Sequence, residues 1–277
     1  MALDTVIDYP CRPKKDLGNG DLRSGTKTLV DLLKSRARAE AARGLAARDG
    51  TPADDLPVRL AVLTPAGVAE ETTMSVRELE ARAAALDPHV PACTNCPANA
   101  RRAPFGCVGT VTYPVPAAAE QWLLDRLQPP DAIGGALFLQ SVEELGYDGA
   151  ATRGVRARGL FEAGTAPGKD LPANPFGRAR VTTDELLDPF FRPEGRLVPW
   201  QMLAFLMWLG AVKVDDAVPR AADDGLKLTR LEPADRPKRA KLTLGPSPTD
   251  PGVEQARDLL KALFVGWARD TEMLVDG

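Results

Sequence analysis

The sequence predicts an α+β fold, mainly helical with a few short strands, joined by Pro-rich loops and carrying a cysteine-rich metal-binding loop. Three observations predict it. Several stretches repeat apolar residues at helical spacing, others alternate over a few residues only, and 25 of the 277 residues are proline. An average chain holds about 5% proline. Proline serves neither helix interiors nor central strands, so the elements must be short and the loops between them stiff.

Taken in order, residues 26–48 read as a helix, with Leu29, Leu32 and Leu33 at helical spacing and Gly50 just beyond the end. Its second half is polar apart from alanine, which predicts a surface position. Residues 56–67 read as a strand: Val58, Leu60 and Val62 alternate with Arg59 and Ala61, and Pro65 stops the run. Ser75 with Glu78 three residues on is a capping box, opening a helix through Leu86. After the cysteine loop, residues 107–115 alternate like a strand. Residues 117–127 form a short amphipathic helix with Trp122, Leu123 and Leu127 inward, ended by Pro129 and Pro130. Residues 136–146 suit another helix.

The segment 164–179 is dense in Gly and Pro and reads as a linker or long loop. It divides the chain into an N-terminal region, 1–163, and a helical C-terminal region, 180–277. In the latter, Thr182 or Thr183 caps a helix with acids in its first turn. Pro199 opens a helix that is apolar nearly all round, hence central to the core. Residues 225–233 and 239–246 pair as short strands. A closing helix over 252–275 turns Leu259, Leu260, Leu263, Phe264 and Trp267 inward.

Composition narrows the function. Apolar residues make up 44% and charged residues 26%, enough for a packed core. No apolar run is long enough to span a membrane, and the acidic N-terminus lacks a basic signal region. The expectation is a cytoplasmic protein without membrane attachment. A net charge of -3 argues against a strong nucleic-acid field. His89 is the single histidine, so any Ser-His-Asp or Cys-His catalysis uses it or does not exist.

Four cysteines are present, too few for a disulfide scaffold. Three crowd into one loop as Cys93-x2-Cys96-x10-Cys107, and Cys11 stands far upstream. A C-x-x-C step turns two thiolates toward one tetrahedral metal. Arg101 and Arg102 in the loop, and Arg12, Lys14 and Lys15 beside Cys11, favour the thiolate form. The predicted metal ligands are therefore Cys11, Cys93, Cys96 and Cys107, with His89 the substitute for Cys11. Zinc accepts such a set, and so does a 4Fe–4S cluster. Buried, unligated thiols are the plainer alternative. A redox C-x-x-C pair fits less well, because Pro97 and Ala98 lead on into loop.

Other motifs carry less. "GDLRSGTKT", residues 20–28, imitates a phosphate-binding P-loop, but Thr26 separates Gly25 from Lys27. A turn with Thr26 or Thr28 capping the first long helix explains it better. The basic stretches around 34–48 and 235–245 read as solvated faces. Asp215, Asp216, Asp223 and Asp224 read as acidic turns, and Trp200, Trp208 and Trp267 as core. Asp148, Arg153, Arg156 and Arg158 form a polar, Gly-rich segment without an assigned mechanism. The expected function is a metal-stabilised cytosolic binding or assembly protein holding zinc, with an unidentified protein as its partner. The alternative is an iron–sulfur enzyme in a redox or nucleic-acid-linked role. No catalytic residue is assigned.

Overall fold

The computed structural model describes residues 2–63, 69–214, 231–246 and 249–276. Helix makes up about 51% and strand 16%, so the mainly helical α+β class holds. The chain forms two compact units: Pro10–Cys96, and Met1–Tyr9 together with Pro97–Gly277. This division departs from the expected boundary at 164–179. The reason is pairing across long sequence separations, which draws the N-terminal strand β1 (Ala2–Ile7) into the larger unit.

The smaller unit opens with α1 (Arg12–Leu17) and the long α2 (Leu22–Asp49). Helix α2 starts earlier than Thr26. Asp21 is its N-cap, accepting from the Ser24 N–H at 2.9 Å, and Thr26 donates within the helix to the Leu22 carbonyl. Strands β2 (Pro57–Leu63) and β3 (Ala69–Ser75) form an antiparallel hairpin with Val58 opposite Met74 and Leu60 opposite Thr72. The capping box then opens α3 (Val76–Ala83): the Glu78 N–H donates to Ser75 Oγ at 3.2 Å, and the Ser75 N–H to Glu78 Oε2 at 2.7 Å. A 3-10 turn (Ala84–His89) leads into α4 (Val90–Thr94).

The second half of α2 is not simply surface. Ala39 and Ala42 are buried with Val76 and Leu79, and Leu56, Val58, Leu60 and Met74 pack partly against them. Alanine leaves room for this close approach of helix and hairpin. On the flank, Arg36 pairs with Asp87, and Arg43 with Asp54 and Glu80.

The larger unit is built on a four-stranded antiparallel sheet in the order β4 (Val108–Thr112), β1, β10 (Met273–Asp276), β7 (Arg196–Leu197). The closing helix, α11 (Pro251–Ala268), therefore ends sooner than 275, and the last residues return as a strand beside β1. Helix α11 packs on β4 and β1, and on α5 (Ala117–Arg126) and α9 (Pro199–Trp208). Helix α6 (Ile133–Glu144) lies against α9, and α7 (Ala150–Ala157) against α8 (Thr183–Phe191). Trp208 and Trp267 are buried as expected. Trp200, in the first turn of α9, is 45% exposed, so it is not core.

The stretch 164–179 lies inside the larger unit and is mostly a long loop rather than a boundary between units. It carries β5 (Gly168–Asp170), which pairs with β6 (Arg180–Thr182), and the Asn174 side chain ties the turn to the carbonyls of Pro172 and Arg178. After β8 (Val212–Val214) and α10 (Arg236–Arg239), strand β9 (Ala240–Leu242) pairs with β8. The expected partner of β9, at 225–233, lies mostly outside the described residues.

Candidate metal centre

The two chain ends of the smaller unit carry three of the four cysteines. Cys11 is the N-cap of α1, Cys93 sits in the last turn of α4, and Cys96 is the last residue of the unit. The Cys96 N–H donates to the Cys93 carbonyl at 3.2 Å, which closes a four-residue turn and holds the two Cα atoms within about 7 Å. Helices α1 and α4 pack against one another. His89, at the start of α4, has Nδ1 3.9 Å from Asp16 Oδ2 near the end of α1. Cys11 and Cys93 thus lie toward the other ends of the same two helices. Cys93 is buried and Cys96 half-buried. The pair follows a helix rather than opening one, the reverse of the setting used by redox C-x-x-C thiols.

Cys107 belongs to the larger unit, in a tightly shaped loop. Phe105 adopts φ +58° while its side chain is buried. A bulky residue in that region is strained, and such strain persists only where the surroundings enforce it. Asn99 Oδ1 accepts from the Ala103 N–H at 3.2 Å and occupies the space beside Gly106, where a Cβ would meet it at 2.0 Å. A side chain at 106 would have to displace the Asn99 amide from this contact. The loop then delivers Cys107 to the edge of the sheet, its carbonyl accepting from the Ile7 N–H at 3.0 Å.

Among the described residues, which include all four cysteines and His89, no three His, Cys, Asp or Glu side chains are grouped to hold a metal ion. Nor is any of the four cysteines joined in a disulfide. Each residue named from the sequence has its position, but a complete ligand set is not drawn together.

The P-loop imitation has a packing explanation. Gly25 is buried inside α2, where a Cβ would stand 1.6 Å from the Lys14 carbonyl oxygen. It lets α1 and α2 touch through their backbones. Lys27 lies exposed on a helix, not beside a nest of loop amides.

The basic stretches are largely engaged. Besides Arg36 and Arg43, Arg236 is buried and reaches the Trp267 carbonyl and Asp270. The segment around Asp148 also gains a role. Arg156 is buried among Glu120, Thr183 and Asp184, and Arg153 donates to the Asp148 carbonyl at 2.9 Å. This network was not legible from spacing. Burial works against the Arg156 charge, but hydrogen bonds to Glu120 and Asp184 outweigh it and strengthen its hold on the proton. The four aspartates of 215–224 lie outside the described residues.

No helix among the described residues is long and apolar enough to cross a membrane. No protein-family model, curated protein or solved structure matches this chain.

Proposed function

We propose that the cysteines bind a metal ion that fastens the two ends of the smaller unit, and that the chain is a metal-stabilised binding or assembly protein. Cys11, Cys93 and Cys96 supply three thiolates, Cys107 is the fourth candidate, and zinc is the metal. The observation that carries the reading is the packing of α1 on α4, which brings the first and last elements of Pro10–Cys96 together with cysteines on both.

Joining Cys11 to Cys96 closes a long stretch of chain. The metal then offsets loop-closure entropy that a small alanine-and-hairpin core meets poorly alone. No ligand group stands preassembled among the described residues, so on this reading binding includes the work of bringing the thiolates together. Affinity is reduced by the cost of that movement.

Elemental analysis of anaerobically purified protein tests the proposal. The expected result is a colourless preparation with stoichiometric zinc. Brown protein with visible absorption assigns the cysteines to an iron–sulfur cluster instead. Metal-free protein that takes up neither zinc nor cobalt overturns the reading.

A further inference from the structure

We propose that the two-stranded ribbon of β8 and β9, in the larger unit, is a contact surface for the phosphate backbone of a nucleic acid. It does not depend on the cysteines. The starting point is a pairing that works against stability. In the antiparallel register Lys213 stands directly opposite Lys241, and both are exposed. Such partners have Cβ atoms about 4.5–5.5 Å apart, and like charges placed so repel one another. Neither lysine has a carboxylate partner among the described residues, whereas the exposed Lys238 nearby is matched by Asp235 at 2.9 Å. A lysine that only guards a strand edge gains nothing from facing a second one.

A second like-charge contact lies at the base of the same ribbon. Thr243, two residues beyond Lys241, donates its N–H to the carbonyl of Ala211, two residues before Lys213. The half-buried Arg126, at the end of α5, donates to the carbonyls of Thr243 and Leu244 at 2.8 and 3.4 Å. Arg257 of α11 donates to the same Leu244 carbonyl at 2.8 Å, so two guanidinium groups share one oxygen. Glu254 lies 3.2 Å from Arg257, but no carboxylate pairs with Arg126 among the described residues. Burial and the charge of Arg257 both loosen the hold of Arg126 on its proton. At about 3.3 Å per residue, Thr243 is only about 7 Å along the strand from Lys241. Positive charge is thus gathered on this ribbon although the whole chain carries -3.

Three features select the occupant. Lysines are compact point charges that suit phosphates, whereas the carboxylates of a protein partner are met best by arginine forks. The apolar pair of the ribbon, Val212 and Leu242, is half-buried and alternates to the face away from the lysines, so it is not presented with them as an anchor for a lipid surface. A two-stranded ribbon is also one of the two elements that the major groove of a duplex admits.

The test is fluorescence-anisotropy titration of a mixed-sequence DNA duplex with the full chain over a range of salt concentrations, in wild type, Lys213→Gln, Lys241→Gln, the double variant and Lys27→Ala. Wild type should bind with the affinity of sequence-independent backbone contacts, about 1–100 µM, and more weakly as salt rises. Each glutamine should reduce the slope of log affinity against log salt by about 0.9, which is about eightfold weaker binding at about 0.1 M salt. Lys27→Ala removes the same charge from the smaller unit and should bind as wild type. Because the glutamines relieve repulsion, the double variant should melt no lower than wild type, which separates lost binding from lost folding. Should it melt lower, Lys213→Arg with Lys241→Arg decides: wild-type binding upholds the charge role, and lost binding overturns it. Wild type that binds no duplex at low salt, a double variant with the wild-type slope, or an equal loss in Lys27→Ala each overturns the proposal. Polyglutamate that displaces the duplex at equal charge concentration also overturns it, and assigns the ribbon to an acidic protein segment.

Discussion

Arg156 grips Glu120 with two prongs inside the larger unit, Nη2 on Oε1 at 2.5 Å and Nη1 on Oε2 at 3.2 Å. The same guanidinium reaches Asp184 through Nε at 3.0 Å and Nη2 at 2.8 Å, and lies over the Phe161 ring at 4.1 Å. Glu120 sits on α5, Arg156 on α7 and Asp184 on α8, so one residue links three helices. Replacing it with methionine leaves two carboxylates buried without their cation. Arg156→Met should destabilise the larger unit by about 3–5 kcal/mol, as breaking a buried pair does. Urea unfolding checks this, and a loss below about 1 kcal/mol would reduce the network to the rank of a surface pair.

A second prediction separates packing from nucleotide chemistry in residues 20–28. Gly25→Ala inserts a methyl group where the Lys14 carbonyl already sits. Alanine normally favours a helix over glycine, yet here α1 and α2 must part, and a loss of about 1–3 kcal/mol is expected. Lys27→Ala, on the exposed face, should change stability by less than about 0.5 kcal/mol. Isothermal titration with ATP should show no saturable binding in either variant or in wild type. ATP binding that depends on Lys27 would contradict the packing explanation.

The contrast between these two sites shows what could be seen in advance. The body and terminal glycine of α2 and the Ser75–Glu78 box were legible because period, C-terminal glycine and capping box are local signals, whereas the sequence misplaces the Asp21 cap of α2 at Thr26 or Thr28. Strand β1 was not legible. Asp4 and Thr5 are buried alongside Leu3, Val6 and Ile7, so a strand covered on both faces shows no alternation. The end of α11 was hidden for a related reason. Asp270 takes the left-handed turn at φ +53° that glycine usually marks, and Met273–Asp276 then pairs with strands distant in sequence. The cysteines were conspicuous by spacing, and the burial of Lys14 beside Cys11 was not. Whether a lysine faces inward depends on tertiary packing, and "RPKK" gives no sign of which cation goes in.

Acid should loosen the smaller unit through Arg43. Its hydrogen bonds to Asp54 and Glu80 hold both carboxyls below their ordinary values. A depressed carboxyl binds fewer protons folded than unfolded. Its contribution is therefore present above the ordinary carboxylate range, about pH 4, and is lost as pH falls through the depressed folded values. All three side chains are substantially exposed, so salt should screen the effect. Melting temperatures measured down the acid range at low and high salt check the sign. Arg43→Gln should flatten the acid dependence at low salt; an unchanged slope would mean that these pairs contribute nothing to it.

The last prediction concerns Cys96, the final residue of the smaller unit. A serine hydroxyl replaces a thiolate poorly on zinc, so Cys96→Ser weakens or removes one metal bond. Metal binding is folding free energy when the apo ligands are not preassembled, and the small alanine-and-hairpin core has little to set against its loss. The larger unit retains its own sheet and its buried α9 and α11. Cys96→Ser and chelator-treated wild type should therefore share one pattern: lower melting temperature, and protease cleavage concentrated within 10–96 while fragments of 97–277 persist. A loss of several kcal/mol is expected, against a usual total of about 5–15 kcal/mol. Melting and cleavage identical to wild type in both samples would show the cysteines to be ordinary thiols, and the structural metal would have to be abandoned.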